Sequence, residues 1–260
     1  MSAAARTNRF RRRFIQLNLA SWISHLNAHA STPQFQTQWQ LSPELVARGA
    51  LKKYRDKVKA LQQAQLLDTE TWFTQRIRAI TAQLATQAAI DYPCSRDWQW
   101  EIHSSDQIDE NSYGMAGGKI IISRPMVNDY SLNESALAML IAHEMAHALL
   151  LHNFAEDQEA LRLFPAWAEK SFEDFETAID DDDTLIRALA SLGKQQEFEA
   201  DLKGLQLALR AGYAAKGLLA FYEKLRKKSA YPNFESLSHP APAARLQRLR
   251  DWLTQQESPN

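Results

Sequence analysis

With one cysteine, Cys94, this 260-residue chain can form no internal disulfide and no cysteine-based metal cage, so any metal ligands must be His, Asp or Glu. Neither sign of charge is in excess: 30 Lys and Arg face 31 Asp and Glu, which removes the reason to invoke nucleic acid or an extended acidic partner. No segment supplies the ~20 consecutive apolar residues of a membrane span, so a domain without a transmembrane segment is expected. There is no internal repeat either. The one low-complexity tract, Asp180 to Asp183, lacks the alternating ligand spacing of a calcium loop and reads as a solvated stretch before a helix.

What is present suits one catalytic domain: 45% of the residues are hydrophobic, enough for a substantial core at this length. The domain is expected over residues 44–260, preceded by an arm at 1–43. In the arm, Arg6, Arg9, Arg11, Arg12 and Arg13 precede a stretch from Phe14 to Pro43 without Asp, Glu, Lys or Arg. With Ala28-His29-Ala30 as a small-residue cleavage site this is the layout of a signal peptide. Gln16, Asn18, Ser21, Ser24 and His25 make its apolar region unusually polar, and the other reading is an exposed basic amphipathic helix or a disordered arm, through which peripheral membrane contact is possible. Export would place the domain in the periplasm or cell envelope; otherwise it is cytoplasmic.

Along the chain, Leu45, Leu51, Tyr54, Val58 and Leu61 recur at helical spacing after Pro43, and Trp72, Ile77, Ile80 and Leu84 do so between Asp68 and Ile90. Trp98, Trp100 and Ile102 alternate with polar residues, the period of a half-buried strand, and a second strand is expected over Lys119 to Ser123 after the pair Gly117-Gly118. Ser131 and Glu134 suggest a capping box for a helix through Leu137 to Leu151. Further helices are expected over Glu156 to Ala178 with Pro165 interrupting, Leu185 to Leu192, Lys194 to Ala211, Lys216 to Lys228 and Pro242 to Gln255.

The apolar helix after Ser131 carries His143-Glu144-Met145-Ala146-His147. Histidines four residues apart on a helix share a face and can grip one ion, while the intervening Glu144 is rotated off that face, where it can reach a water instead of the metal. The alternative, two core histidines bonded to backbone or carboxylate, asks a buried helix to carry three polar groups at a cost of several kcal/mol unless each finds a partner. A catalytic zinc usually takes three protein ligands and leaves one position open. Glu197, in Glu197-Phe198-Glu199-Ala200-Asp201, is the best third ligand, with Asp201 one turn on to orient a ligating histidine and Glu199 pointing elsewhere. His152, five residues beyond His147, falls well around the helix from both ligands and reads as structural.

These residues resemble the HtpX, BepA and CAAX prenyl protease type of gluzincin, metallopeptidase family forty-eight. That family follows a His-Glu-x-x-His helix with Glu-x-x-x-Asp and an alanine before the Asp, places filled by Glu197, Ala200 and Asp201. Asn111-Ser112-Tyr113-Gly114-Met115-Ala116-Gly117-Gly118-Lys119-Ile120 is similar to the segment before its zinc helix, with Ser112 and Gly114 in place of the usual alanines; Ala146 likewise replaces a common glycine. Ala211-Gly212-Tyr213 and His239-Pro240 followed by Arg245 match further family elements. The resemblance implies that the strand carrying Gly117, Gly118 and Ile120 lines a substrate cleft to which a peptide adds as an extra strand. It also implies that His239 sits near the zinc, stabilising an oxyanion or closing the metal's open position at rest, and that Arg245 anchors that loop or the substrate.

The expectation is a zincin-like α+β fold, predominantly helical, with a small sheet whose margin faces the active-site helix. Its function would be that of a zinc metalloendopeptidase with one Zn2+ per chain, hydrolysing unfolded or damaged polypeptides with Glu144 as general base. The rival is a zinc-bearing, chaperone-like protein that holds peptides without cutting them, and Glu144 argues against it, because a structural zinc has no use for a base.

Overall fold

Residues 39–257, except Asp109, are described by this computed structural model; both readings of the amino-terminal arm, apart from its last five residues, lie outside them. Helix α1 spans Pro43–Gln63, with Pro43 at its first position and the Ser42 hydroxyl accepting from the Leu45 N–H at 3.2 Å. It buries Val46, Ala50, Tyr54 and Leu61. Helix α2, Thr71–Asp91, buries Phe73, Ile77, Ile80, Leu84 and Ala88, and each of the large members contributes roughly 1.5–3 kcal/mol of burial. Trp72 is not on this face; it is 58% exposed, and its neighbour Phe73 takes the core position.

The sheet has three strands, β1 (Glu101–Ser105), β2 (Tyr113–Met115) and β3 (Lys119–Ser123), in the order β1-β3-β2. β1 runs parallel to β3 with Ile102 opposite Ile120, and β2 runs antiparallel to it with Gly114 opposite Ile120. Trp98 and Trp100 precede β1 instead of belonging to it. Gly117 and Gly118, both at φ +77°, turn the chain from β2 into β3.

Short helix α3 (Arg124–Asp129) leads to α4 (Glu134–Leu149). The expected capping box does not form: Asn133 caps α4 by accepting from the Ala136 N–H, and Ser131 sits outside the helix at φ +48°. α4 is buried from Ala136 to Leu149, and it stops earlier than its apolar run suggests because Leu151 adopts the left-handed conformation, φ +52°. A non-glycine residue there costs on the order of 1–3 kcal/mol, and the turn starts a new helix, α5 (His152–Leu163), in a new direction.

A 3₁₀ turn at Pro165–Glu169 and α6 (Phe172–Asp181) follow. α7 runs unbroken from Asp183 to Arg210, capped by the Asp182 carboxylate. The break anticipated at Gly193 is absent: an interior glycine costs about 1 kcal/mol against alanine, and α7 is anchored at both halves. Its first half buries Leu185 and Leu189 in a small core with Ala160, Phe175 and Ile179; its second half enters the main core with Ala200, Leu205, Leu207 and Ala208. Helices α8 (Ala215–Lys228) and α9 (Pro242–Glu257) complete the described chain. This is a zincin-like α+β fold, predominantly helical with one small sheet.

α7 lies against α4 so closely that a β-carbon at Gly204 would meet the backbone N of His143 at 2.9 Å and the Ala142 carbonyl at 3.0 Å. At an open helical site Gly→Ala stabilises by up to ~1 kcal/mol; here Gly204→Ala should destabilise by about 1–3 kcal/mol, read as a lower urea midpoint at unchanged slope.

Candidate metal centre

Three side chains from two helices converge. His143 and His147 project from one face of α4, their Nε2 atoms 3.2 Å apart, and α7 brings the Glu197 carboxylate to 3.7 Å from His143 Nε2 and 3.4 Å from His147 Nε2. One ligand atom from each of the three lies within 4.8 Å of the others, and all three residues are buried. The donor set suits a metal. Burial pushes the His147 imidazole well below its usual range, so it is neutral with a lone pair to offer. Burial opposes ionisation of Glu197, but the charges of His239 and Arg245 outweigh it and hold the carboxyl well below the carboxylate range. Glu197 Oε2 is buried and accepts no hydrogen bond among the described residues, although Arg245 Nη1 is 3.2 Å away. An ionised oxygen left in that state fits a cation between it and the two imidazoles.

Behind these ligands is a buried ion cluster. Asp201 Oδ1 lies 3.0 Å from His143 Nδ1, as expected of a carboxylate that orients a ligating imidazole. Burial would disfavour the His143 cation, yet the Asp201 hydrogen bond and the charges of Glu197 and Asp201 prevail and raise its pKa. Asp201 in turn accepts two bonds from Arg245, Nε to Oδ2 at 2.7 Å and Nη2 to Oδ1 at 2.5 Å, and one from the Tyr222 hydroxyl at 2.6 Å. Burial works against this carboxylate too, but Arg245 dominates and holds it at about 2.

Arg245 borders the cleft but is 5% exposed, with both its strong bonds committed to Asp201, and it ties the start of α9 to α7. Gly117, Gly118 and Ile120 do not line the cleft. β3 is the central strand, paired with β1 on one side and β2 on the other, and the Ile120 side chain is fully buried, so no peptide can add there. The edge that meets α4 is β2. The Gly114 N–H donates to Glu144 Oε2 at 2.8 Å, and a β-carbon at Gly114 would stand 2.8 Å from the Glu144 carbonyl oxygen, which accounts for glycine where the family pattern has alanine. His239 is near the centre, as expected: its Nε2 is 3.5 Å from Glu197 Oε2 and its Nδ1 is 3.0 Å from the Ser238 hydroxyl.

Two residues read as uninvolved are drawn in. Because the chain turns at Leu151, His152 folds back under α4 and its Nδ1 lies 2.9 Å from His147 Nδ1. Glu199, read as pointing elsewhere, reaches His152 Nε2 at 3.4 Å. An unbroken helix through residue 152 hides this contact; the only local signal was a polar residue after an apolar run.

His143, Glu144, Glu197 and His239 line a cleft of about 480 Å³ that also takes in Asn111 and Ser112 ahead of β2. Its apolar lining comes from Leu140, one turn before the ligands on α4, from Phe221 and Leu225 of α8, and from Tyr231 and Phe234 in the loop before His239. Tyr231 and Phe234 are 72% and 73% exposed.

Arg245→Met leaves the Asp201 and Glu197 carboxylates without their shared cation, so the metal-free protein should lose on the order of 3–5 kcal/mol in chemical denaturation. Asp201 has a folded pKa below its unfolded one, so its contribution to stability is complete above the ordinary carboxylate range and lost as pH falls toward 2. Asp201→Asn should therefore flatten the acid limb of the stability curve.

The family model described as "Peptidase family M48" matches residues 71–253, a span that contains the ligands, the ion cluster and the cleft. The chain is 26% identical over 213 residues to the Beta-barrel assembly-enhancing protease of Escherichia coli (strain K12), covering 76% of this chain and 42% of the relative. It is 30% identical over 166 residues to the protein of that name from Yersinia pestis, covering 58% and 34%. To the Mitochondrial metalloendopeptidase OMA1 of Saccharomyces cerevisiae (strain ATCC 204508 / S288c) it is 28% identical over 171 residues, covering 60% and 47%. The chain thus spans less than half the length of these relatives. With the family matched over most of the chain, and a His-His-Glu set in place for the metal that the family implies, the protein belongs to peptidase family M48, the M48 metallopeptidases.

Proposed function

We propose that the protein is a zinc endopeptidase that cuts unfolded or damaged polypeptides beside apolar side chains. The observation that carries this reading is the convergence of two neutral-capable imidazoles and one ionised carboxylate with a fourth group, Glu144, in the same cleft. Two nitrogens and a carboxylate oxygen, with a further position open, are the usual ligand set of a catalytic zinc. Bound there, zinc would supply Lewis-acid activation of water and of the scissile carbonyl.

The chain's own residues supply the rest. Glu144, held by the Gly114 N–H, takes the proton of the attacking water and passes one to the leaving amine. The main chain at Asn111 and Ser112, ahead of β2 and lining the cleft, offers groups to an extended peptide. Leu140, Phe221 and Leu225 receive an apolar side chain, which the water-exposed parts of a folded protein seldom present and an unfolded one does. His239, in reach of Glu197 from the loop above, stabilises the developing oxyanion or caps the metal at rest.

Metal analysis of the purified protein and cleavage of unfolded casein, for wild type and Glu144→Gln, test this reading together. Both proteins should carry one zinc, with cleavage reduced by about 10²–10⁴-fold in the variant. Bound zinc with no cleavage by wild type, even after His239→Ala, would instead establish a peptide-holding protein. Sequencing of the casein products should find aromatic or large aliphatic residues flanking the cuts, and Phe221→Lys should erase that preference.

A further inference from the structure

The two histidines are held from behind by different means. His143 has the Asp201 carboxylate directly behind it, 3.0 Å from its Nδ1. Among the described residues His147 meets no carboxylate at its Nδ1; it meets the Nδ1 of His152 at 2.9 Å, and the far nitrogen of His152 meets Glu199 at 3.4 Å. His152 is fully buried. Its ring lies 4.9 Å from the His147 ring at 79°, edge toward face. Its backbone is tied to α7 by the Gln196 side-chain amide, which donates to the His152 carbonyl at 3.2 Å. Glu199 is fixed in turn by the Gln195 amide at 2.8 Å.

We infer that His152 is a positioning residue for the metal, a relay through which the Glu199 carboxylate orients His147. The inference rests on the ligand set proposed above. Hydrogen counting allows one arrangement once His147 Nε2 is turned to a cation. Its Nδ1 then carries the hydrogen and donates to the bare Nδ1 of His152, which leaves the His152 hydrogen on Nε2, facing Glu199. Every ring nitrogen in the chain from ligand to carboxylate then has a complementary partner. A metal-bound imidazole commonly donates its free N–H to a carboxylate, carbonyl or water, and such partners fix the tautomer and strengthen the ligand. Here the carboxylate acts at one remove. The left-handed turn at Leu151 is what folds His152 back into place, since a continued α4 would carry residue 152 away from His147.

The test is zinc affinity by competition with a chromophoric chelator, with thermal unfolding of each metal-free protein as the check on folding. His152→Phe keeps the ring's bulk and removes the acceptor; His152→Asn places an amide oxygen near the Nδ1 position; Glu199→Ala removes the carboxylate from a partly exposed site. Zinc affinity should fall by about 10- to 100-fold in His152→Phe, return most of the way in His152→Asn, and fall to a smaller degree in Glu199→Ala. A folded His152→Phe that holds zinc as tightly as wild type overturns the relay, as does an Asn variant no better than Phe. If His152→Phe does not fold, Glu199→Ala decides, and unchanged affinity there overturns it. Wild type that binds no zinc refutes the ligand set itself, a result distinct from all of these.

Discussion

The approach of α7 to α4 at Gly204 is the constraint on which the rest depends. Glu197, Asp201 and Gly204 follow one another along a single face of α7, and the absence of a side chain at Gly204 lets that face sit directly on the α4 backbone at Ala142 and His143. A β-carbon there would meet the His143 backbone nitrogen at 2.9 Å, so any larger residue must push the helices apart. The carboxylates meet the imidazoles because the backbones are almost in contact, and the long helix carrying them is fixed at its far end by a separate small core around Phe175 and Leu189.

Such closeness buries several ionised groups together, and the structure offsets the desolvation by pairing each with more than one partner. Asp201 serves His143, Arg245 and Tyr222 at once; Arg245 bridges Asp201 and Glu197 and lies 5.3 Å from the Tyr222 ring. Four elements, α4, α7, α8 and α9, are joined through one carboxylate. Glu197 Oε2, ion-paired with Arg245 but accepting no hydrogen bond among the described residues, faces the position where a metal would complete the set. Around it, the cleft combines that polar centre with apolar residues from α4, α8 and the loop before His239, a division of labour suited to fixing a peptide by its backbone while sorting it by a side chain.

Much of this was legible in the sequence, for identifiable reasons. The spacing of His143 and His147, the position of Glu144 between them, and the one-turn interval from Glu197 to Asp201 are consequences of helical geometry within one element, so periodicity alone gives their relative placement. The buried face of α2 and the alternation ending in Ile102 are likewise local. Errors arose where neighbouring side chains compete for one role: Trp72 against Phe73 for the core, Ser131 against Asn133 for the cap, Gly193 as a break in a helix anchored at both halves.

What only the tertiary structure decided is everything that depends on which elements meet. β3 is central because β1 pairs with it in parallel, past the intervening β2, a pairing with no local signature, and that order makes β2, not the strand carrying Ile120, the edge that meets α4. Arg245 becomes an internal clamp because α9 packs on α7 and α8. His152 joins His147 through one left-handed residue, Leu151, whose conformation is imposed by packing against its own steric preference. The sequence by itself determined the chemistry available on each helix, since that follows from covalent spacing and a repeat of 3.6 residues. The partners across helices were determined by the fold, because contacts between residues far apart in the chain are set by how the buried faces stack.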